Sequence, residues 1–169
     1  PKIILKNKII KGNTEQSFTI AIPNTKLWSL ENPHLYEVSA KLEGDLVKSY
    51  FGMRKIATMN LPNTNYKYIS LNNKPIYVQL ALDQSYHPTG FYTFPTDEFM
   101  KNEIVLSKKI GLNGIRTHIK AEVPRKLYWA DKLGLLVMAD LPNFWGEPNA
   151  EAKQESEASL KEMIKRDYN

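Results

Sequence analysis

Residues 112–146, LNGIRTHIKAEVPRKLYWADKLGLLVMADLPNFWG, constrain this chain more than any other stretch. Two short apolar runs, 112–119 and 135–141, have the length and composition of buried parallel strands. Between them Pro124 suits a first helical turn, Leu127, Ala130 and Leu133 recur on one helical face, and Gly134 stands where a helix stops. The capping position holds Val123, which has no side-chain oxygen for a free backbone N–H. Two parallel strands need a crossover of this length, and such crossovers are right-handed. In barrels built from these units, ligand chemistry collects at the carboxyl ends of the strands. The polar residues placed there are Arg116, His118 and Lys120 after the first run, and Asp140, Asn143 and Trp145 after the second.

The preceding segment extends the pattern. Residues 76–82 read as a further buried strand ending in Asp83, Gln84, Tyr86 and His87, followed by a long polar and aromatic loop, HPTGFYTFPT. With Phe91, Tyr92 and Phe94 inside it, packing is expected rather than disorder. Thr96 can cap a helix whose first turn holds Asp97 and Glu98, whose buried side is Phe99, Met100, Ile104, Leu106 and Ile110, and which Gly111 ends. Before the strand, Ile69 and Leu71 are expected opposite Ile76 and Val78, across a turn of Asn72, Asn73 and Lys74. A last helix, about 152–167, has Leu160, Met163 and Ile164 on one face. Alternating units of this kind form an open doubly wound sheet or a closed eightfold barrel, and three strands do not decide between them. No Gly-rich phosphate loop follows the first strand, which argues against a nucleotide.

The first third of the chain has no helical period. Short strands are expected at 3–5, 18–22, 35–42 and 46–56, with Tyr36, Val38, Ala40 and Leu42 on one face of the third. Turns fall at Lys11-Gly12-Asn13, Pro23-Asn24 and Glu43-Gly44-Asp45, a spacing typical of an all-β sandwich. Residues 1–60 are therefore read as the later part of such a sandwich, its first strands lying upstream of Pro1. Residues 61–66, LPNTNY, lack periodicity and are read as a linker to the alternating part, 67–169.

At 169 residues and 42% hydrophobic the chain can bury a real core. Its formal charge of +5 comes from lysines spread among acidic residues, so no nucleic-acid partner is expected. The absence of cysteine excludes disulfides and thiolate metal sites but leaves the compartment open. No apolar run approaches the about 18 residues a membrane span needs, and no signal-peptide pattern opens the chain. His87, His118 and Asp83 match no zinc spacing, and there is no G-x-S-x-G elbow, so neither a metal, a cofactor nor a serine nucleophile is expected.

Arg116 within an apolar run is costly unless a carboxylate or ligand meets it. His118 suits either a structural hydrogen bond or a site. Asp83 and Asp140 follow strands, where each can cap the next helix or pair with Arg116. Phe144 and Trp145 are core residues or rings that stack on a sugar.

The segments LWSLENPHLYEV, FGMRKI, LNNKPIYVQLALDQSYHP, GLNGIRTHIK, YWADKLGLLVMADLPNFWG and IKRDYN, which together span most of 27–169, resemble glycoside hydrolase family 2 of the β-galactosidase and β-glucuronidase types. The resemblance implies a partial immunoglobulin-like β-sandwich ending near FGMRKI, then the first three β/α units of a (β/α)8 TIM barrel that hydrolyses β-glycosides with retention of configuration. It implies a carbohydrate substrate and two catalytic carboxylates, both expected beyond Asn169. Arg116 matches an arginine that lies against the nucleophile in the family, and Asp83 a residue in the loop after the first barrel strand. The commoner pattern has a histidine three residues after that arginine, where this chain has Ile119 and places His118 one residue earlier; Asp140 stands where many members have Glu. The site set expected to bind or support substrate is thus Asp83, Arg116, His118, Lys120, Asp140 and Trp145. The rival reading is a non-catalytic carbohydrate-binding or structural module. An open piece of barrel would also associate through its strand edges, which leaves a homo-oligomer open.

Overall fold

The computed structural model of the chain describes residues 2–5, 8–12, 17, 19–143 and 145–168, with 2–5 and 8–10 described by their backbone. Antiparallel sheets occupy the first part and a parallel sheet with crossover helices the second. Strands β1 (Lys2–Leu5), β2 (Lys8–Lys11), β3 (Leu35–Leu42) and β4 (Asp45–Gly52) form one sheet in the order β2-β1-β3-β4. The β3–β4 pairing runs from Leu35↔Gly52 to Leu42↔Asp45 around the tight Glu43-Gly44 turn. Tyr36 is its buried anchor, stacked on Phe51 at 5.3 Å, and burial fades along the face until Leu42 is exposed.

Three expectations need correction here. The strand placed at 18–22 is absent from residues 19–22, and Phe18 lies outside the described residues, as does Asn13 of the first turn. Strand propensity supplies no partner strand, and the place beside β1 is taken by β2, which pairs through Leu5↔Lys8. The strand expected at 46–56 is two strands. Between them Met53 accepts from Trp28 N at 2.9 Å and Arg54 reaches Asp131 at 2.7 Å, so the chain leaves the first sheet after Gly52 and enters a second as β5 (Ile56–Asn60). Residues 61–66 are the loop of a hairpin, because β5 pairs with β6 (Lys67–Leu71) through Asn60↔Lys67. Pro and Asn mark a turn as readily as a linker. The third strand of this sheet, β7 (Lys74–Pro75), follows a two-residue turn in which Asn72 and Asn73 both take positive φ, 52° and 64°. Asn tolerates that conformation better than most residues. Ile76 N donates to Ile69 O at 2.9 Å, as the sequence pattern implied.

Parallel strands β8 (Leu80–Asp83), β9 (Gly114–Thr117) and β10 (Leu136–Ala139) form the third sheet in the order β10-β9-β8. Helix α1 (Asp97–Lys109) joins the first two and α2 (Pro124–Leu133) the next two; α3 (Ala150–Asp167) follows. Thr96 accepts from Phe99 N and caps α1, while Val123 gives α2 no side-chain cap and Gly134 ends it at φ 78°. A core of Ile104, Ile115, Ala130 and Leu135, flanked by Trp129, Leu133 and Val137, fills the space between sheet and helices.

The register sorts the strand residues. Ile115 faces the helices, so alternation turns Thr117 and its neighbours Asp83 and Ala139 the same way, and turns Leu82, Arg116 and Met138 to the opposite face. That face is open, with Leu82 and Met138 exposed, although the apolar runs suggested burial on both sides. Leu106 and Ile110 are likewise exposed rather than core. At about 100° per residue they lie far around α1 from the buried Met100 and Ile104. Helix α3, capped by Asn149, buries none of its residues.

The first part of the chain is fastened to α2. Trp28, fully buried, donates from Nε1 to Asp131 O at 2.7 Å, and the Asp131 carboxylate takes Tyr50 Oη at 3.0 Å and Arg54 at 2.7 Å. Lys108 Nζ reaches across to Leu30 O at 3.0 Å, Gly134 O at 3.1 Å and Leu133 O. Its charge thereby meets the carbonyls at the end of α2, where a cation is favoured.

Candidate functional site

The residues at the carboxyl ends of β8, β9 and β10 divide into two groups on opposite faces of the sheet. On the open face Arg116 grips Asp140 with two parallel bonds, Nε to Oδ1 at 3.0 Å and Nη2 to Oδ2 at 2.8 Å. Asp140 sits just past β10, where its N–H donates to Thr117 O at 3.1 Å and its carboxylate takes Ile119 N at 3.4 Å. Ile119 is held at φ 53°, a conformation a β-branched residue rarely adopts, so the chain bends sharply where His118 and Lys120 diverge. Hydrogen bonding from Arg116 holds the Asp140 carboxyl below the usual carboxylate range. The Arg116 side chain remains nearly half exposed.

His118 lies beside this pair. Its N–H donates to Asp83 O at 2.9 Å, and Gln84 Nε2 lies 3.3 Å from its Nδ1. Trp145 stands in the loop after β10, 99% exposed, and Phe144 lies outside the described residues.

On the helix face lies a buried ionic cluster. Lys126, in the first turn of α2 and only 1% exposed, sits 2.5 Å from Asp83 Oδ2, 3.0 Å from Glu103 Oε2 and 3.7 Å from Glu122 Oε2. Lys120, also buried, lies 3.2 Å from Glu122 Oε1 and donates to Ser85 O at 3.2 Å and Tyr92 O at 3.4 Å. Ser85 ties the two halves together: its N–H donates to Asp83 Oδ1 at 2.7 Å, and its one hydroxyl proton lies between Asp83 Oδ1, 3.2 Å away, and the nearer Glu122 Oε2. Burial works to raise the Asp83 pKa, but Lys126 and Ser85 outweigh it and the carboxyl is held low. Burial likewise disfavours the Lys126 ammonium, and its carboxylate partners hold its pKa above the ordinary lysine value.

Of the six expected site residues the structure brings Arg116 and Asp140 into contact and sets His118 near them. Asp83 is turned away from Arg116 by the strand register, and Lys120 is committed to the buried cluster instead of reaching the open face. Ser85, Glu103 and Lys126 were absent from the expected set. Lys126 was nonetheless legible, because it shares a helical face with Ala130 and Leu133, an apolar position for a charged residue.

The chain has relatives among known proteins in both sequence and fold. The family model described as glycosyl hydrolases family 2 matches residues 4–54. A β-galactosidase of Thermoanaerobacterium thermosulfurigenes is 32% identical over 159 residues, 90% of this chain and 21% of that protein. The solved family 2 β-galacturonidase of Eisenbergiella tayi, bound to galacturonate, superposes with a TM-score of 0.79 at 26% identity, over 99% of this chain and 32% of its own. An apo β-glucuronidase of Bacteroides uniformis shares the fold at a TM-score of 0.79 and 23% identity, over 99% of this chain and 22% of its own. The chain belongs to glycosyl hydrolase family 2 and is like its β-galactosidases and β-glucuronidases. It spans between 12% and 21% of the length of the curated relatives it matches.

Proposed function

We propose that this chain is the part of a retaining β-glycosidase in which an immunoglobulin-like sandwich ends and the first three strand and helix units of an eightfold barrel begin. The observation that carries this reading is the Arg116–Asp140 fork on the open face of β9 and β10, at the strand ends where such barrels gather their chemistry. Retaining hydrolysis needs one carboxyl to protonate the leaving oxygen and a second, about 5 to 5.5 Å away, to attack the anomeric carbon. Three carboxylates at the strand ends are already engaged, Asp140 by Arg116, Asp83 by Lys126, and Glu122 by Lys120 and Ser85. The catalytic pair of the proposed enzyme is not assigned to these three.

Arg116 then acts on the nucleophile. Two neighbouring carboxyls oppose each other's ionisation, and a catalyst must separate their pKa values. A guanidinium that cannot lose its proton keeps the nearer carboxyl ionised, and its remaining N–H donors are available for that second partner while Asp140 fixes its plane.

Aryl β-glycosides test the reading, offered to the 169-residue chain and to the longer enzyme that the reading proposes. Turnover is expected only from the longer protein. Turnover by the shorter chain that Glu122→Gln or Glu147→Gln abolishes would place the catalytic carboxylates here. A longer protein without turnover would leave a non-catalytic carbohydrate-binding or structural module.

A further inference from the structure

We infer that Lys120 is the positioning residue of the paired strand ends: its buried ammonium holds the turns after β8 and β9 in strained backbone and thereby sets Gln84 against His118. Asp83 is the register partner of Thr117, so Gln84 and His118 stand next along the two chains, and Ser85 and Ile119 next again. Ser85 and Ile119 both take left-handed backbone, each at φ 53°. Phe91 does the same at φ 50°, just before Tyr92. The other non-glycine residues described in this conformation are four asparagines and Glu43. Asparagine reaches it at low cost, whereas a bulky or β-branched side chain does not.

The three strained positions converge on one group. Lys120 Nζ lies 3.2 Å from Ser85 O, 3.4 Å from Tyr92 O and 3.2 Å from Glu122 Oε1, so each of its three N–H bonds has an acceptor. The rings of Tyr92 and Phe94 close over it at 4.6 and 5.1 Å. Lys120 and Glu122 are each 2% exposed, so neither turns to water when a bond is lost. Left-handed backbone at such residues persists only where surrounding structure enforces it. Here the ammonium enforces it. Ser85 must present its carbonyl inward, Phe91 must deliver the carbonyl of Tyr92, and Ile119 must reverse the chain so that Lys120 enters the buried cluster while His118 stays by Asp140.

The two turns answer each other across the sheet. On the buried side Ser85 O accepts from Lys120, and on the exposed side Gln84 Nε2 lies 3.3 Å from His118 Nδ1. Gln84 and His118 keep that approach only while both bends stand, so a buried cation sets a contact made by two other residues. A side chain placed in this way needs no ordering when a ligand meets it. The bearing on catalysis, through His118, rests on the glycosidase reading, whereas the latch does not.

Hydrogen exchange and NOE spectroscopy on the isotope-labelled 169-residue chain test the inference. Lys120→Met with Glu122→Gln removes the ion pair in one step and leaves Lys126 with Asp83 and Glu103. In that variant the amides of residues 85–93 and 118–121 should exchange about tenfold faster together, while those of the core residues Ile104 and Ile115 keep their rates. The NOE between the Gln84 side-chain amide and the His118 ring should vanish. Gln84→Ala removes the exposed contact alone and should leave both turns as slow as before. Glycine reads the strain directly. Ile119→Gly should unfold at higher urea than Ile119→Ala, and Phe91→Gly than Phe91→Ala, the reverse of the usual order. This advantage should shrink in the Lys120→Met, Glu122→Gln background, where the turns are free to relax. Release of one turn without the other, faster exchange throughout the chain or a surviving NOE overturns the assignment. So does a glycine advantage that is absent or indifferent to Lys120, and so does a double variant that fails to fold, which would make Lys120 a support of the whole molecule. Turnover of aryl β-glycosides bears on the glycosidase reading alone, and its absence leaves the latch standing.

Discussion

Asp83 and Arg116 stand on neighbouring strands one register step apart, and each meets an opposite charge, yet their surroundings differ in kind. Asp83 belongs to a desolvated cluster packed under α1 and α2; Arg116 and Asp140 form an isolated fork on an open sheet face. In the cluster every charge is held because losing a partner strands another in a medium that cannot solvate it. In the fork water replaces a lost partner at little cost. The same chemistry therefore serves rigidity on one face and leaves a positioned, available guanidinium on the other.

The sharpest way to break this contrast is Lys126→Met. It leaves Asp83, Glu103 and Glu122 facing one another without that cation, and a loss of roughly 3 to 5 kcal/mol in urea unfolding at neutral pH is expected. Adding Asp83→Asn and Glu103→Gln should recover much of it, since Glu122 keeps Lys120 and no carboxylate of the cluster is then left without a cation. A single-variant loss below about 1 kcal/mol would mean that the cluster behaves as surface charge.

A weaker effect is expected from pH. The Asp83 carboxyl is held below its unfolded value, so its contribution is complete above about pH 4 and fades as pH falls through the depressed value. The Lys126 ammonium is held above its unfolded value, so its contribution is complete below about pH 10 and fades as pH rises further. The gap in unfolding midpoint between the native chain and Asp83→Asn should be level from about pH 5 to 9 and narrow in acid. A gap that widens in acid would reverse the assignment.

The smallest change in stability belongs to Arg116→Ala, which should resemble an ordinary surface substitution and lose its effect as salt is raised. If the proposed longer enzyme is the native protein, the same variant should lower its turnover at least about tenfold, with Arg116→Lys retaining part of it. An unchanged rate and acidic limb of the pH profile would make the fork purely structural.

How much of this was legible depended on whether the deciding interaction was local. Thr96, Pro124 and Gly134 mark helix ends through bonds within a few residues, and the structure puts the ends of α1 and α2 beside them. The Leu71–Lys74 turn differs by one residue from expectation because both asparagines accept positive φ. The apolar runs of β8 and β10 did not reveal that one face is open, since a run of hydrophobic residues does not say which side a partner covers. Arg116 was expected to meet a carboxylate or a ligand within a buried run; it meets Asp140, on an open face. Its partner was left as Asp83 or Asp140, because only the register decides which face each strand residue takes. Glu122 and Lys126 have the spacing of a common exposed helical pair, and only the position of Lys126 on the Ala130 face betrays burial.

The Trp28 bond to Asp131 joins residues 103 apart in sequence, the Tyr50 bond to the same residue spans 81, and the Lys108 bond to Leu30 spans 78. Hairpins and crossover units can form from nearer neighbours, whereas this seam requires long stretches of chain to be closed first. Docking of the antiparallel part onto α2 is thus expected late on the way to the native state, with the Trp28 indole as its natural fluorescent reporter. Weakening the seam should hasten unfolding far more than it slows folding, so the lifetime of the assembled molecule is set at the joint between its two kinds of sheet.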